Sequence, residues 1–311
     1  MREGLTKYAL ALLLSASFAV GCEAPGEATA EKRSQRSALA DGASITIEEI
    51  AASQREGEVL LGVGARGELL FGAPVEALPN TDQPPLFRPR LHSPGNAKAA
   101  SLPDDLGVIE GATFLPEGAL LLLTEDHRLL AWDGKSLELV DEGVHGPVAR
   151  SPSGQFIAYL EGEEPVFSIV SRDMKANTMA RPAGDITGCW SPAVGDGGEV
   201  VFMASATGYG ELYRAVPGED PVKLTERERG QTIAVPSGPS APLLLDGSLY
   251  FEDRDGAHRI DLSGDAKGIT SAPLAPGIRD LVWTSDRERA IGRSPDGALS
   301  VVSLEGQGGA R

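Results

Sequence analysis

Residues 62–67 (GVGARG) match the G-x-G-x-x-G pattern, in which glycines let the backbone approach the phosphates of a dinucleotide. That chemistry needs a strand before the motif and a helix after it, because the phosphates bind at the helix N-terminus. Here the short apolar run 68–71 and then Pro74 follow the motif, which indicates another strand. We therefore interpret 62–67 as a turn between the second and third strands of a β unit, and we predict no cofactor.

Metal-binding and nucleophilic residues are few. His127 and His258 are each followed by Arg in a similar turn, which indicates equivalent positions in two repeats. His92 and His145 do not occupy equivalent positions. Cys189 has no neighbouring His in the sequence to activate its thiol, so we predict a buried strand residue.

Residues 253–256 (DRDG) resemble part of a calcium-binding loop, but they lack the distal Glu, and an Asp-Gly pair predicts a hairpin turn. The sequence contains no G-x-S-x-G, Walker A or H-E-x-x-H motif. We predict no catalytic, cofactor-binding or metal-binding residue.

The elements that would position any site are short apolar runs separated by turns, in a chain with 38 Gly and 22 Pro. A turn with Pro and then Gly recurs at 116–118 and 152–154, where Pro sets the first turn position and Gly closes the turn. The runs 120–123 and 200–203 are apolar at every position, which indicates burial on both faces. Third strands are predicted at 68–71, 128–132, 166–170, 211–215, 258–262 and 298–304, with a more polar fourth strand at 221–225.

The turns recur at a nearly constant period. Successive markers are 61, 36, 44, 49 and 41 residues apart, at Gly57, Gly118, Gly154, Gly198, Gly247 and Glu288. Four-stranded propeller blades repeat about every 40–45 residues. The sequence therefore predicts an all-β fold over 44–305, a β-propeller of six blades with four antiparallel strands each, with five to seven blades left open.

Segment 151–158 (SPSGQFIA) resembles the WD40-like repeat of TolB-type propellers, and the resemblance extends, in weaker copies, over most of 44–305. It implies a rigid disc with loop-lined faces. Segment 45–47 could close the ring or form the first strand of unit one, the Pro-rich insertion 74–103 predicts an extended loop, and 306–311 predicts a disordered tail.

The beginning of the chain predicts export. Arg2 and Lys7 precede an apolar stretch at 8–18, too short to span a bilayer and typical of a cleaved signal over 1–21. The residues 19–22 (AVGC) resemble the lipobox of bacterial lipoproteins, which implies that Cys22 is acylated and becomes the first mature residue. Segment 22–43 predicts a flexible tether, and Glu23 favours the outer membrane over the inner membrane.

The formal net charge of −17 disfavours nucleic acid and anionic lipid as partners. We predict a membrane-anchored scaffold in the cell envelope that binds a protein, a peptide or another ligand and is not an enzyme. The alternative is a propeller enzyme of the lactonase, polysaccharide lyase or quinoprotein type, with its site in the central channel. A lipoprotein with only a structural role is a third hypothesis. The predicted partners are the lipid bilayer, through Cys22, and an envelope protein or peptide.

Overall fold

Short antiparallel strands and one helix form the part of the chain that the structure describes. The computed structural model describes residues 46–75, 85–93, 101–163, 166–205, 210–226, 236, 240–262, 269–284 and 289–304. The first elements are α1 (Ile47–Ser53), β1 (Val59–Val63), β2 (Leu69–Pro74) and β3 (Phe87–His92). They are followed by β4 (Ile109–Phe114), β5 (Leu120–Thr124), β6 (Arg128–Trp132), β7 (Leu137–Glu142), β8 (Val144–Arg150), β9 (Phe156–Glu163), β10 (Val166–Asp173) and β11 (Thr178–Ala180). The remaining strands are β12 (Cys189–Val194), β13 (Val200–Ala204), β14 (Glu211–Ala215), β15 (Val222–Lys223), β16 (Leu243–Leu245), β17 (Ser248–Asp253), β18 (Gly256–Asp261), β19 (Ser271–Pro276), β20 (Arg279–Trp283), β21 (Arg289–Arg293) and β22 (Leu299–Ser303).

These strands form a β-propeller, which confirms the predicted fold class. Within the described residues they make one seven-stranded sheet (β1–β7), three four-stranded sheets (β8–β11, β12–β15, β16–β19) and one three-stranded sheet (β20–β22). We divide the seven-stranded sheet between β3 and β4, which share only the pair Phe87 and Ile109. The division gives six units, and the first and the last have three described strands each where four were predicted.

The innermost strands of the units, β1, β4, β8, β12, β16 and β20, surround a common axis. The inner strands β1, β4, β8, β12 and β16 contact one another in turn, while β20 contacts β17 and β18 of the preceding unit and returns to β1. Val63 and Thr284 form a parallel bridge between these two strands. The ring is thus closed between the first and last units.

Helix α1 packs against the first and last units where the ring closes. The structure describes residues 46 and 47 of the predicted strand 45–47, and there the prediction is wrong. Thr46 caps the helix: its hydroxyl accepts from the Glu49 N–H at 3.2 Å, and the Glu49 carboxylate accepts from the Thr46 N–H at 2.7 Å. This capping box favours a helix at a sequence that β-branched residues alone would assign to a strand. Ile50 is fully buried against Leu60 of the first unit and Ile291 of the last.

The hydrophobic core lies between adjacent units. Every residue of β5 and of β13 is buried, which confirms the two-sided burial predicted for 120–123 and 200–203. Such strands are covered on both faces because each blade stacks on its two neighbours.

The turns also contact each other from unit to unit. Gly154 has φ of 75°, and a Cβ added there would lie 2.3 Å from the ring of Pro116 in the preceding turn, so this position requires glycine. In the first unit the equivalent turn is 64–67, between β1 and β2, and not the predicted Gly57, which precedes β1. The motif 62–67 is therefore a turn between two strands, but between the first and second strands of its unit. The insertion 74–103 contains a strand, β3, which corrects the prediction of a loop throughout. The marker Glu288 and the tail 306–311 lie outside the described residues.

Candidate functional site: the axial cavity

The inner strands β1, β4 and β20 run in one direction along the axis. The bridge between Val63 and Thr284 is parallel, and a Cβ added at Gly62 would lie 3.0 Å from the ring of Phe114, so β1, β4 and β20 end at the same level. We call the face at which the inner strands begin the lower face, and the face at which they end the upper face. Side chains early in β4, β8 and β20 therefore meet at the lower face.

Five of the six inner strands carry a β-bulge beside the axis. The pairing with the second strand shifts at Leu60/Gly62, Ile109/Gly111, His145/Ala149, Trp190/Ala193 and Arg279/Val282. A bulge turns side chains out of the regular alternation of a strand, and bulges are concentrated at the rims of barrels and next to active sites. Two bulged residues, Ser191 and Asp280, have φ of 49° and 54°, a conformation that costs a non-glycine residue about 1 kcal/mol.

Four of these bulged strands, β1, β4, β8 and β20, line a cavity of about 180 Å³. In another protein a cavity of about 150 Å³ binds benzene, so this space accommodates a molecule of roughly that size. We call it the axial cavity. Most of its lining is apolar or small, for example Leu61, Gly111, Ala112, Phe114, Val148 and Trp283. Three ionisable residues also line it: Glu110, Arg150 and Asp280.

Glu110 lies at the lower face beside two histidines. Its side chain is 8% exposed, and the distance from its Oε1 to Nδ1 of His127 is 3.5 Å, too long for a good hydrogen bond but short enough for an ion pair. The His127 ring packs on the His145 ring at 4.1 Å between centroids, and His145 packs on Phe167 at 5.1 Å. The His127 backbone is fixed in the left-handed region, with φ of 60°, by the turn between β5 and β6.

Burial has opposite effects on these acidic and basic groups. It raises the pKa of the Glu110 carboxyl above its ordinary 4.5, an effect that His127 opposes and Glu125 reinforces. Burial lowers the pKa of His145, and the charge of His127 lowers it further. The pKa of the Glu110 carboxyl is thus raised and the pKa of the His145 imidazole is lowered, so the two values lie closer together than their ordinary values do.

Asp280 is held at the lower face through the bulge of β20. The carboxylate of Glu252, on the neighbouring unit, accepts the backbone N–H of Leu281 at 2.8 Å. Burial raises the pKa of Glu252, while the bonds from the backbone of Leu281 and Asp280 lower it. The Asp280 side chain is itself 57% exposed, with its Oδ2 3.8 Å from Nε of Arg293.

Arg150 lies at the opposite end of the axial cavity. It is the last residue of β8 and is only 4% exposed. The turn that follows it contacts Pro116, two residues beyond the end of β4, so Arg150 lies at the upper face. Glu110 and Asp280 therefore line the axial cavity from the beginnings of their strands, and Arg150 lines it from the end of its strand.

The structure separates most of the residues that the sequence singled out. His92 pairs with Ser53, with 3.1 Å between Nε2 and Oγ, and His258 pairs with Asp253, with 2.9 Å between Nε2 and Oδ1. His127 and His145, in contrast, come together although the sequence suggested no such pairing. Residues 253–256 form the predicted hairpin, with Asp253 paired to Gly256 across two turn residues.

Cys189 is buried on β12 as predicted, and burial raises the pKa of its thiol to about 12. Cys22 lies outside the described residues. Within the described ranges, no three or more His, Cys, Asp and Glu side chains are grouped so as to hold a metal ion. In the same ranges no helix has the length and apolar character needed to cross a membrane.

Sequence reasoning missed Glu110, Arg150 and Asp280, which line the axial cavity. Glu110 and Asp280 are brought to the axis by bulges, which depend on strand pairing and are not visible in a single sequence. The Gly146-Pro147 pair was a usable signal, because both residues disturb a strand and they fall inside the bulge of β8.

Comparison with known protein families gives no match, and comparison with curated sequences gives none either. Among solved structures, tricorn protease is similar over 78% of this chain and 29% of its own, with 12% identity and a TM-score of 0.52. TolB from Acinetobacter baumannii is 16% identical, with a TM-score of 0.43 over 80% of this chain and 63% of its own. A gluconolactonase from Xanthomonas campestris is 11% identical, with a TM-score of 0.49 over 79% of this chain and 87% of its own. At 12% identity the likeness to tricorn protease shows a shared fold alone.

The comparisons correct one prediction. The chain was predicted not to be an enzyme, partly because its propeller suggested a binding scaffold. Tricorn protease, which is similar with a TM-score of 0.52, is an enzyme. The prediction is therefore wrong, since propellers of this kind also occur in enzymes.

Proposed function

We propose that the propeller binds a small, partly apolar ligand in the axial cavity, and that the chain is held in the cell envelope through acylated Cys22. The observation that supports ligand binding is the set of four bulged inner strands, β1, β4, β8 and β20, that line one cavity. A regular strand pairs more completely than a bulged one, so bulges in four strands that line one cavity favour a role for the space that they shape. Concave, mostly apolar spaces with a few polar groups are the usual form of small-molecule sites.

Gly111 offers a clean test of this site. It lines the axial cavity, and a Cβ added there would meet no heavy atom within 4 Å, so a larger side chain enters open space. Gly111→Phe fills the axial cavity, while Gly111→Ala is the matched control that leaves most of it open. Replacing a strand glycine does not itself weaken the strand.

The experiment screens small acids, amines and sugars by thermal shift against the wild-type domain and both variants. Trp283 also lines the axial cavity, so its fluorescence reports occupancy directly once Trp132 and Trp190 are replaced by Phe. Compounds that stabilise the wild type and Gly111→Ala, but not Gly111→Phe, support the proposal. Compounds that bind all three proteins equally, or no binding compound at all, would contradict it.

The anchor is supported by the sequence around Cys22, with its apolar stretch and small preceding residues. Several acyl chains hold a protein on a membrane where a single chain does so only marginally. Mass spectrometry of the envelope-extracted protein should find acyl chains on Cys22, and the Cys22→Ser chain should appear in the soluble fraction. An unmodified thiol at Cys22 in the mature protein would refute the anchor. A pull-down with the acylated chain as bait tests the predicted envelope partner.

Glu110 and His127 favour a second candidate function, catalysis in the same site. A buried carboxyl with a raised pKa beside an imidazole is suited to general acid or base chemistry. Once a ligand is found, its conversion is followed by mass spectrometry with wild type and Glu110→Gln. Turnover that Glu110→Gln abolishes, with binding kept, would identify an enzyme, whereas unchanged ligand in both samples would leave binding as the function.

A further inference from the structure

This inference rests on the proposed function of the axial cavity and names the class of ligand. We propose that the axial cavity takes an uncharged, mainly apolar molecule about the size of one substituted six-membered ring, and that it discriminates against cations and anions of the same shape.

The three ionisable residues that line the axial cavity have partners in the protein or contact with solvent. Arg150 has an interaction partner of its own in the structure. The Asp280 side chain is 57% exposed, and its Oδ2 lies 3.8 Å from Nε of Arg293. The Glu110 carboxyl lies 3.5 Å from His127, and burial raises its pKa, which favours its uncharged form. None of the three residues therefore requires an opposite charge from a ligand.

Two polar side chains of the wall are also bonded within the protein. The Ser240 hydroxyl donates to the carbonyl of Leu281, and the indole N–H of Trp283 donates to the carbonyl of Ala241 at 2.8 Å. Both donors are therefore already used. Much of the remaining wall is apolar, for example Leu61, Ala112, Phe114, Val148 and Val282. An ionised group that leaves water for such a space without a new partner is strongly disfavoured, far more than a hydroxyl or an amide.

The bulges supply hydrogen-bonding groups that carry no net charge. Leu61, Glu110 and Val148 line the axial cavity and are skipped by the pairing of their strands, β1, β4 and β8. A residue skipped in this way keeps its backbone N–H and C=O outside the regular ladder. Such peptide groups are dipoles that bond a hydroxyl or an amide, so the wall suits an uncharged polar substituent better than an ionised one.

The volume of the axial cavity limits the ligand to about one ring. The axial cavity holds about 180 Å³, and a cavity of about 150 Å³ in another protein binds benzene. The difference is close to the roughly 30 Å³ that one water molecule occupies in the liquid, which leaves room for one small substituent. Burial of the ring surface supplies the driving force for binding.

Two pairs of molecules test this assignment by calorimetry near neutral pH, where amines of this kind are protonated and carboxylic acids are ionised. Benzyl alcohol is compared with benzylamine, and benzamide is compared with benzoate, so that each pair differs in charge at nearly constant size. Each charged molecule should bind at least about tenfold more weakly than its neutral counterpart, because its ionised group loses water without gaining a partner.

The variants at Gly111 locate the binding. A Cβ added at Gly111 meets no heavy atom within 4 Å, so Gly111→Phe should abolish benzyl alcohol binding and Gly111→Ala should retain it. Circular dichroism checks that both variants fold. The molecule pairs measure the charge preference on the unsubstituted chain, and Trp283 fluorescence reports occupancy of the axial cavity independently of the Gly111 variants.

The outcomes separate this inference from the proposed function. Preferential binding of both neutral molecules, blocked by Gly111→Phe, supports the uncharged ligand. Binding of benzylamine or benzoate within about tenfold of its neutral counterpart, and blocked by Gly111→Phe, overturns the inference and leaves the proposed function intact. Failure of all four molecules, while other compounds bind in a way that Gly111→Phe blocks, also overturns the inference alone. If Gly111→Phe blocks no compound at all, both proposals fail.

Discussion

Glu252 holds the bulge of β20, so its replacement tests how the lower face of the axial cavity is built. Its carboxylate accepts the N–H of Leu281 at 2.8 Å, and the N–H of Asp280 also bonds to it. Glu252→Ala leaves two backbone donors without this acceptor. A buried donor that loses its partner costs about 1–3 kcal/mol, so we expect a loss of about 2–4 kcal/mol in the free energy of unfolding.

Glu252→Gln is the matched control, because an amide oxygen can still accept from the bulge. Burial raises the folded-state pKa of Glu252 above its ordinary 4.5. The stability that its protonated form contributes is therefore fully present below about pH 4.5 and is lost as the pH rises through the folded-state pKa. Glu252→Gln cannot ionise, so we expect it to remove this part of the pH dependence and to cost less than Glu252→Ala.

Urea unfolding followed by circular dichroism, at several pH values, measures both effects. Fluorescence of Trp283 in the folded state reports whether the bulge has moved. If Glu252→Ala were within about 0.5 kcal/mol of the wild type, or if Glu252→Gln kept the full pH dependence, the assigned role of this carboxylate would be refuted.

Other groups give independent predictions. The Glu58 side chain is 6% exposed, and its carboxylate accepts from the Arg90 guanidinium at 2.5 Å. Removing either side chain should lower the free energy of unfolding by about 2–3 kcal/mol, less than the roughly 3–5 kcal/mol of a fully buried pair. A double-mutant cycle measured by urea unfolding should show coupling between the two residues. Arg90 lowers the pKa of Glu58, so this stability is present above the ordinary 4.5 and is lost as the pH falls through the folded-state pKa; an acid titration that matches Glu58→Gln would disprove it. In the Cys22→Ser chain, iodoacetamide should alkylate Cys189 near pH 8 only after unfolding, because burial raises its thiol pKa to about 12, and rapid labelling of the native chain would contradict its burial.

The strands were predictable where local pattern and tertiary environment agree. The predicted third strands at 128–132 and 211–215 coincide with β6 and β14. Their apolar residues face the neighbouring blades, and the turns before them carry recognisable residues, so each short segment contains enough information about its own conformation.

The first unit was less predictable because its turn lacks Pro and its third strand, β3, lies after a Pro-rich stretch. The helix α1 was missed because β-branched residues at 45–47 suggested a strand, whereas the Thr46 and Glu49 capping contacts favour a helix. The axial cavity could not be predicted from the sequence for another reason. Its lining comes from five strands far apart in sequence, and Glu110 and Asp280 line it only because a bulge changes the pairing of each strand with its neighbour.

The closure of the ring has a mechanical consequence. Among the described residues, packing around Ile50 and one parallel bridge join the first and last blades. Helix α1 is also the first described element after the segment that carries Cys22. A pulling force on that segment would act first on α1. It would therefore strain the contact between the first and last blades before it reached any complete blade. We expect the first and last blades to separate from each other before any complete blade unfolds under tension.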